Sequence, residues 1–245
     1  MPRKSLDSIR VWISRRIFDR STASYIWRGI AIKRPRLIFK PCVFVASLIP
    51  VGWLAFALWS DTFNATSYMT ADPVQKLNRE LGDWALIFII ITLAVRPFAD
   101  LTKKPRLMAY RRMIGLYAFF YALLHVTSYV GIDLQLDLGE FLKDVTKRNF
   151  ILVGMVTLIL LIPLAVTSTK STMNRLGGRH WKKLHYLIYP ISILGAFHFF
   201  LMIRADFSRP IIYAVVIFVL LAYRIWAYRL KARSKKSTAK ATKVA

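Results

Sequence analysis

Acid is scarce in this 245-residue chain, with 12 Asp+Glu against 37 Lys+Arg and a formal charge of +25. Cysteine is nearly absent. The single Cys42 rules out an internal disulfide and any site built on two thiolates, and at the edge of an apolar run it reads as a packing residue. There is no GxGxxG, no Gly-rich phosphate loop and no internal repeat, so a nicotinamide-oxidising module would have to be a separate chain. Apolar residues are abundant, at 56% of the chain. They fall into blocks of about 18–22 with hardly a charge inside, the length that crosses a hydrocarbon layer about 30 Å thick. In a soluble protein the positive charge would suggest nucleic acid; in a membrane chain it has another explanation.

Six blocks qualify as spans: Pro41–Ser60, Trp84–Phe98 (beginning as early as Leu81), Met113–Gly131, Phe150–Thr167, Leu184–Ile203 and Pro210–Trp226. The predicted fold is all-α, a polytopic bundle of six transmembrane helices. Basic residues gather in alternate connections. Arg3 to Lys40 precede span one, Lys103, Lys104, Arg106, Arg111 and Arg112 precede span three, Lys170, Arg175, Arg179, Lys182 and Lys183 precede span five, and Arg229 to Lys243 follow span six. The other loops are mixed or acidic, with Asp61 and Asp72 in one and Asp133, Asp137, Glu140 and Asp144 in another. By the positive-inside rule both termini are expected in the cytoplasm. The excess charge is then topology and attraction to anionic lipid, with no nucleic-acid site required.

The chain divides into a basic cytoplasmic segment, 1–40, a membrane domain, 41–230, and a basic tail, 231–245, whose Lys/Ala/Ser/Thr composition suggests disorder. Ile9, Val11, Trp12, Ile13, Ile17 and Phe18 suit an amphipathic helix lying on the inner surface. Ser14-Arg15-Arg16-Ile17-Phe18 looks like a twin-arginine export signal, but the next apolar segment starts some two dozen residues later and reads as a full span, which favours a plain basic tail.

Histidine carries the candidate chemistry. His125 lies in span three, His180 in a basic loop, and His185 and His198 in span five. One histidine within a span is as readily a helix-packing hydrogen bonder as a functional group. Two at matching depth on different helices are more specific. His125 is 13 residues beyond Arg112, about 20 Å along a helix, and His198 is 15 beyond Lys183, about 22 Å; His185 is only about 3 Å in. His125 and His198 should therefore face each other in the outer half of the bilayer. Opposed imidazoles on two helices suit the two axial positions of a haem iron. Zinc would need further ligands, and no Cys, Asp or Glu lies at that depth. A proton relay would call for carboxylates within the spans, where only Asp83 at an edge is found. Gly195 and Gly154 would allow a flat macrocycle close approach, or would simply pack helices.

Nearer the cytoplasm, Arg112 stands 13 residues before His125, where a two-haem transmembrane cytochrome carries another histidine. The inner half keeps one candidate ligand, His185, facing Arg111 and Arg112. That pair is either ordinary inner-face charge or a clamp for the phosphate of FMN, with the ring system near Trp181 and His185. Pro190 could kink the helix between His185 and His198 and change their relative angle.

Three segments together resemble a known family. They are Arg111-Arg112-Met-Ile-Gly-Leu-Tyr-Ala-Phe-Phe-Tyr-Ala-Leu-Leu-His125, Lys147-Arg148-Asn-Phe-Ile-Leu-Val-Gly154 leading to Pro163-Leu-Ala-Val-Thr-Ser168, and Leu176-Gly177 through Trp181-Lys-Lys-Leu-His185 to His198. The family is MsrQ (YedZ), haem-binding membrane subunits of a periplasmic methionine sulfoxide reductase system, within the ferric-reductase-like transmembrane superfamily. The resemblance spans roughly residues 75–205 and leaves out the basic N-terminus. It implies a b haem and an FMN in a bacterial inner-membrane protein. Electrons would come from the quinone pool or a cytosolic flavin reductase and go to a separate periplasmic molybdopterin enzyme, MsrP, which repairs oxidised proteins. The resemblance thus implies His125 and His198 as iron ligands, and His185, Arg111, Arg112 and Trp181 as cofactor-binding residues, with no substrate turnover by this chain alone. The alternatives are a stand-alone ferric reductase and, outside redox chemistry, a small transporter or scaffold with packing histidines.

Overall fold

A computed structural model describes the backbone of residues 35–64 and 66–244 and the side chains of 40–64 and 66–230. Both readings of the N-terminal basic stretch, surface helix and export-like motif, lie outside the described residues. Among the described residues the regular elements are all helices: α1 (Pro35–Phe63), α2 (Pro73–Leu101), α3 (Arg111–Ser128), α4 (Leu138–Lys147), α5 (Asn149–Val166), α6 (Lys170–Leu184), α7 (Ile188–Met202) and α8 (Ser208–Val244). Six stretches are long and apolar enough to cross a membrane: Lys40–Phe63, Pro73–Leu101, Arg111–Asp133, Asn149–Val166, Lys170–Met202 and Ser208–Leu230. Each overlaps one of the six blocks expected from the sequence, and the second and fifth begin well before theirs. The described residues divide into two units, one ending at Ala46 and one beginning at Ser47, and the histidines of the candidate site lie in the second.

The helices α2, α4 and α6 begin where a side chain caps the first turn. Asp72 accepts from the Gln75 N–H at 2.9 Å and Pro73 occupies the first turn of α2, so that helix starts well before the apolar block at Trp84. Asp137 caps α4 in the same way by accepting from the Glu140 N–H, and the Thr169 hydroxyl accepts from the Thr172 N–H at the start of α6. From sequence both stretches are expected as loops, because neither α4 nor α6 is apolar enough to stand out as a span. The tail also differs from its expectation of disorder, since α8 continues without a break to Val244. Ala and Lys favour helix, and extending a helix already formed in the last span avoids the cost of nucleation. Cys42, expected as a packing residue, is exposed.

Within the second unit, α2 and α3 pack along most of their length, α5 packs on α7, and α8 leans on α7 and α2. An aromatic column runs between α2 and α3, with Phe88 stacked on Tyr121 at 5.1 Å and on Tyr117 at 5.6 Å. Tyr121 is fully buried. Its hydroxyl donates to the Ser47 carbonyl at 2.8 Å and accepts from the Val51 N–H at 3.2 Å, the acceptor and donor of one turn of α1. A phenol inserted into the helical ladder in this way satisfies groups that hydrocarbon would leave unpaired. Large apolar side chains such as Trp59, Ile212 and Phe218 point outward, as expected for a chain whose surroundings are lipid. Beyond α3 a π turn, Tyr129–Asp133, lets the Tyr129 hydroxyl donate to Asp144 of α4, which also pairs with Arg148 at 2.9 Å. That triad, in which Asp144 is the buried member, ties α4 to the end of the bundle opposite the basic loops.

Candidate functional site

His125 projects from the last turns of α3 and His198 from the last turns of α7, and their ring centres stand 6.2 Å apart at an interplanar angle of 77°. Each ring is fixed by the same device. His125 Nδ1 lies 2.9 Å from the Asn78 carbonyl on α2, and His198 Nδ1 lies 2.6 Å from the Phe150 carbonyl on α5. A carbonyl only accepts, so in each ring Nδ1 carries the proton and Nε2 keeps its lone pair for a ligand. Four residues after each accepting carbonyl comes a glycine: Gly82 after Asn78, and Gly154 after Phe150. A Cβ on Gly82 would stand 3.2 Å from His125 Cε1 and Nδ1; on Gly154 it would stand 2.7 Å from His198 Cε1 and 2.8 Å from Nδ1. The glycines let the rings lie flat against a neighbouring helix and reach its backbone.

Asn78 closes the arrangement. Its amide donates to the His125 carbonyl and to the Ser128 hydroxyl, both at 3.0 Å, while its own carbonyl takes the imidazole proton. Neither Asn78 nor Gly82 stood out in the sequence, although a polar Asn near the end of an apolar block was a signal that could have been read. Gly195 plays a different part. A Cβ there would meet Leu86 and Ile89 of α2, so it serves helix packing and is not aimed at the histidines.

The pair's dimensions fit a metal between the rings. Two metal–imidazole bonds of about 2 Å, plus about 1.1 Å from each nitrogen to its ring centre, give roughly 6.2 Å. Two histidines that each keep Nε2 free would suit a haem iron, whereas a tetrahedral metal would need further ligands. Among the described residues no group of three or more His, Cys, Asp or Glu converges on one point.

His185 lies near the opposite end of the bundle, in a tight turn, His185–Leu187, that joins α6 to α7. Pro190 follows closely and leaves the Tyr186 carbonyl without its helical donor, a local cause for the change in winding. The His185 ring stacks on Trp181 at 3.9 Å and its Nδ1 bonds the Trp181 carbonyl at 3.1 Å. Trp181 is anchored through Nε1–H to the Thr167 carbonyl at 2.9 Å. His185 Nε2 is buried with no hydrogen-bond partner among the described residues. A buried ring nitrogen left this way is a place for a ligand atom. Arg111 and Arg112 both act electrostatically on His185, but consecutive helical residues diverge by about 100°, and Arg112 reaches Met173 of α6 at 3.8 Å. His180 is exposed on α6.

These features define a polytopic membrane protein that fixes two histidines from different helices against each other within a helical bundle. The family profile described as ferric reductase like transmembrane component matches residues 51–196. The protein-methionine-sulfoxide reductase heme-binding subunit MsrQ of Rhodospirillum rubrum is 41% identical over 209 residues, 85% of this chain and 98% of the relative. That of Caulobacter vibrioides is 44% identical over 183 residues, 75% of this chain and 84% of the relative. The magnetosome protein MamZ of Paramagnetospirillum magneticum is 45% identical over 186 residues, but this chain spans only 29% of MamZ's length. The chain belongs to the MsrQ family of ferric-reductase-like transmembrane proteins.

Proposed function

We propose that this chain is the membrane subunit that carries electrons through a b haem to a periplasmic molybdopterin methionine sulfoxide reductase, MsrP. The observation that carries this reading is the His125–His198 pair, with ring centres 6.2 Å apart and both Nδ1 protons committed to backbone carbonyls. Resemblance to heme-binding MsrQ subunits along nearly their whole length supports it. Haem, when bound, supplies a one-electron carrier within the bilayer. His125 and His198 present Nε2 as ligands, Asn78 and Phe150 fix their tautomers and orientation, and Gly82 and Gly154 give the rings room.

At the basic end the proposed cofactor is FMN, which supplies a junction between two-electron donors and one-electron carriers. The unpartnered Nε2 of His185 fits a polar ring atom, Trp181 lines the same place, and Arg111 and Arg112 offer charge for the phosphate. The donor is the quinone pool or a cytosolic flavin reductase. The orientation proposed is the bacterial inner membrane with both termini cytoplasmic, because the basic residues crowd one set of connections. The partner would dock at the opposite end, on residues 132–148 and the turn around Arg204–Arg209. Within the chain we propose the 41–230 span as the functional domain, with 1–40 and 231–245 as basic flanks.

Vesicle reconstitution tests the reading. Chemically reduced protein should be reoxidised by methionine sulfoxide only when the periplasmic reductase is also present. Reoxidation by sulfoxide without that partner would make the chain an enzyme in its own right. The match to the ferric reductase family favours one second reading, a stand-alone ferric reductase, for which ferric chelates would reoxidise the chain equally fast.

A further inference from the structure

The short helix α4 carries two unlike flanks. At about 100° per residue, Leu138 and Leu142 project from one side, and Glu140, Lys143 and Lys147 from a sector about 150° away. Between the two lies the side that packs inward. Asp144 is buried under the Tyr129 hydroxyl, the Phe141 ring meets the Tyr129 ring edge-on at 6.4 Å, and Val145 is half-buried. The polar flank is knit by the Lys143–Glu140 pair at 2.9 Å. The apolar flank is bare: Leu138 is 63% exposed and Leu142 64%, and Leu136, in the turn before the helix, is 70% exposed.

Position along the chain says what covers these leucines. Span three ends at Asp133, and after residues 134–137 α4 begins; α4 ends at Lys147 and span four starts at Asn149, with only Arg148 between. Both ends of a helix about 15 Å long are thereby held where the spans leave the hydrocarbon. The turn leading into it is no slack tether. The Leu134 N–H donates to the Tyr129 carbonyl at 2.9 Å and the Leu136 N–H to the Val130 carbonyl at 2.8 Å, and the Tyr129–Asp144 bond holds α4 itself close to the end of span three. A helix so placed lies in the layer of lipid headgroups, where exposed leucines reach acyl chains instead of water. Lys147 and Arg148, at the junction with span four, suit the phosphates of the same layer.

We propose that α4 is an interfacial helix in the leaflet opposite the basic loops, with Leu138 and Leu142 seated among lipid acyl chains and Glu140, Lys143 and Lys147 turned to the aqueous side. Lipid is the occupant because spans three and four, directly before and after α4, also expose apolar side chains near their junctions with it, Ile132 and Leu152. A periplasmic partner would then meet the polar flank and not the leucines. This placement depends on the membrane spans alone and is separate from the haem and the partner proposed above.

The experiment uses the full chain with Cys42→Ser as background, nitroxide-labelled one position at a time through Leu138→Cys, Leu142→Cys, Lys143→Cys and Lys147→Cys, in nanodiscs of phosphatidylglycerol and phosphatidylethanolamine. All four positions are exposed, and each variant is checked for helix content and monodispersity. Power-saturation EPR compares collisions with oxygen, which concentrates among acyl chains, and with a water-soluble nickel chelate. The ratio of oxygen to nickel accessibility should be severalfold higher at 138 and 142 than at 143 and 147. Equal ratios at the four positions overturn the placement. Labels at 138 and 142 that are open to nickel in the nanodisc and become protected only on adding the periplasmic reductase assign the flank to that partner. Protection present in nanodiscs holding two chains and absent in those holding one assigns it to a second copy. Either result overturns lipid as the occupant. A second readout leaves the chain unaltered: a phospholipid bearing an acyl-chain diazirine should photolabel Leu138 and Leu142, and label on span four with none on α4 overturns the placement as well.

Discussion

The ring of His198 occupies the space beside Gly154 so closely that an added Cβ would stand 2.7 Å from Cε1. Backbone-to-ring crowding of that degree is not relieved by a rotamer change, because the ring is also tied to the Phe150 carbonyl on the same helix. Gly154→Ala should therefore push His198 off its hydrogen bond, at a cost of about 1–3 kcal/mol. Most haem should be lost, as measured by haemochrome content per protein. At Gly82 the corresponding distance to His125 is 3.2 Å, so Gly82→Ala should leave a larger fraction of haem bound.

Tyr121 tests the fold separately from the cofactor. Tyr121→Phe keeps the stacking on Phe88 but removes the hydroxyl that serves Ser47 and Val51. The expected loss is about 1–2 kcal/mol, seen as a lower unfolding temperature in detergent, with the cofactor spectrum retained in the folded fraction.

The six spans were legible because hydrocarbon thickness imposes a length and an exclusion of charge that composition alone reveals. The matching depth of His125 and His198 was legible too, since helical rise is nearly constant. What fixes those rings was not. The Asn78 and Phe150 carbonyls belong to the backbone of other helices, and sequence carries no mark of which carbonyl accepts a distant proton. The helix α4 escaped because its capped, amphipathic sequence lacks the apolar run that defines a span. Arg224 sat within a recognised span, but its bond to the Leu93 carbonyl, 131 positions earlier, is made only in the fold.

Trp181 should matter to the basic end alone. Trp181→Phe preserves an aromatic face against His185 but loses the bond to the Thr167 carbonyl, worth about 1 kcal/mol or roughly fivefold in flavin affinity. Flavin fluorescence titration should show that weakening, and the absorption bands of the His125–His198 site should not move.

Docking at the opposite end predicts a charge effect without a spectral one. Glu140 and Lys143 are paired at 2.9 Å on the exposed face of α4. The Glu140 carboxylate holds the Lys143 ammonium above its usual pKa, so this lysine stays charged through neutral and mildly alkaline pH. Lys143→Glu should slow reoxidation by the periplasmic partner, with the difference shrinking as salt rises, while haem content stays constant.

The most direct measurement is haem content and reduced-minus-oxidised absorption across the four histidine-to-alanine variants. The account predicts one haem per chain, lost in both His125→Ala and His198→Ala, kept in His180→Ala, and kept with its bands unshifted in His185→Ala. Loss of all haem in His185→Ala, with haem intact in His198→Ala, would contradict the pairing of His125 with His198 on which the account rests.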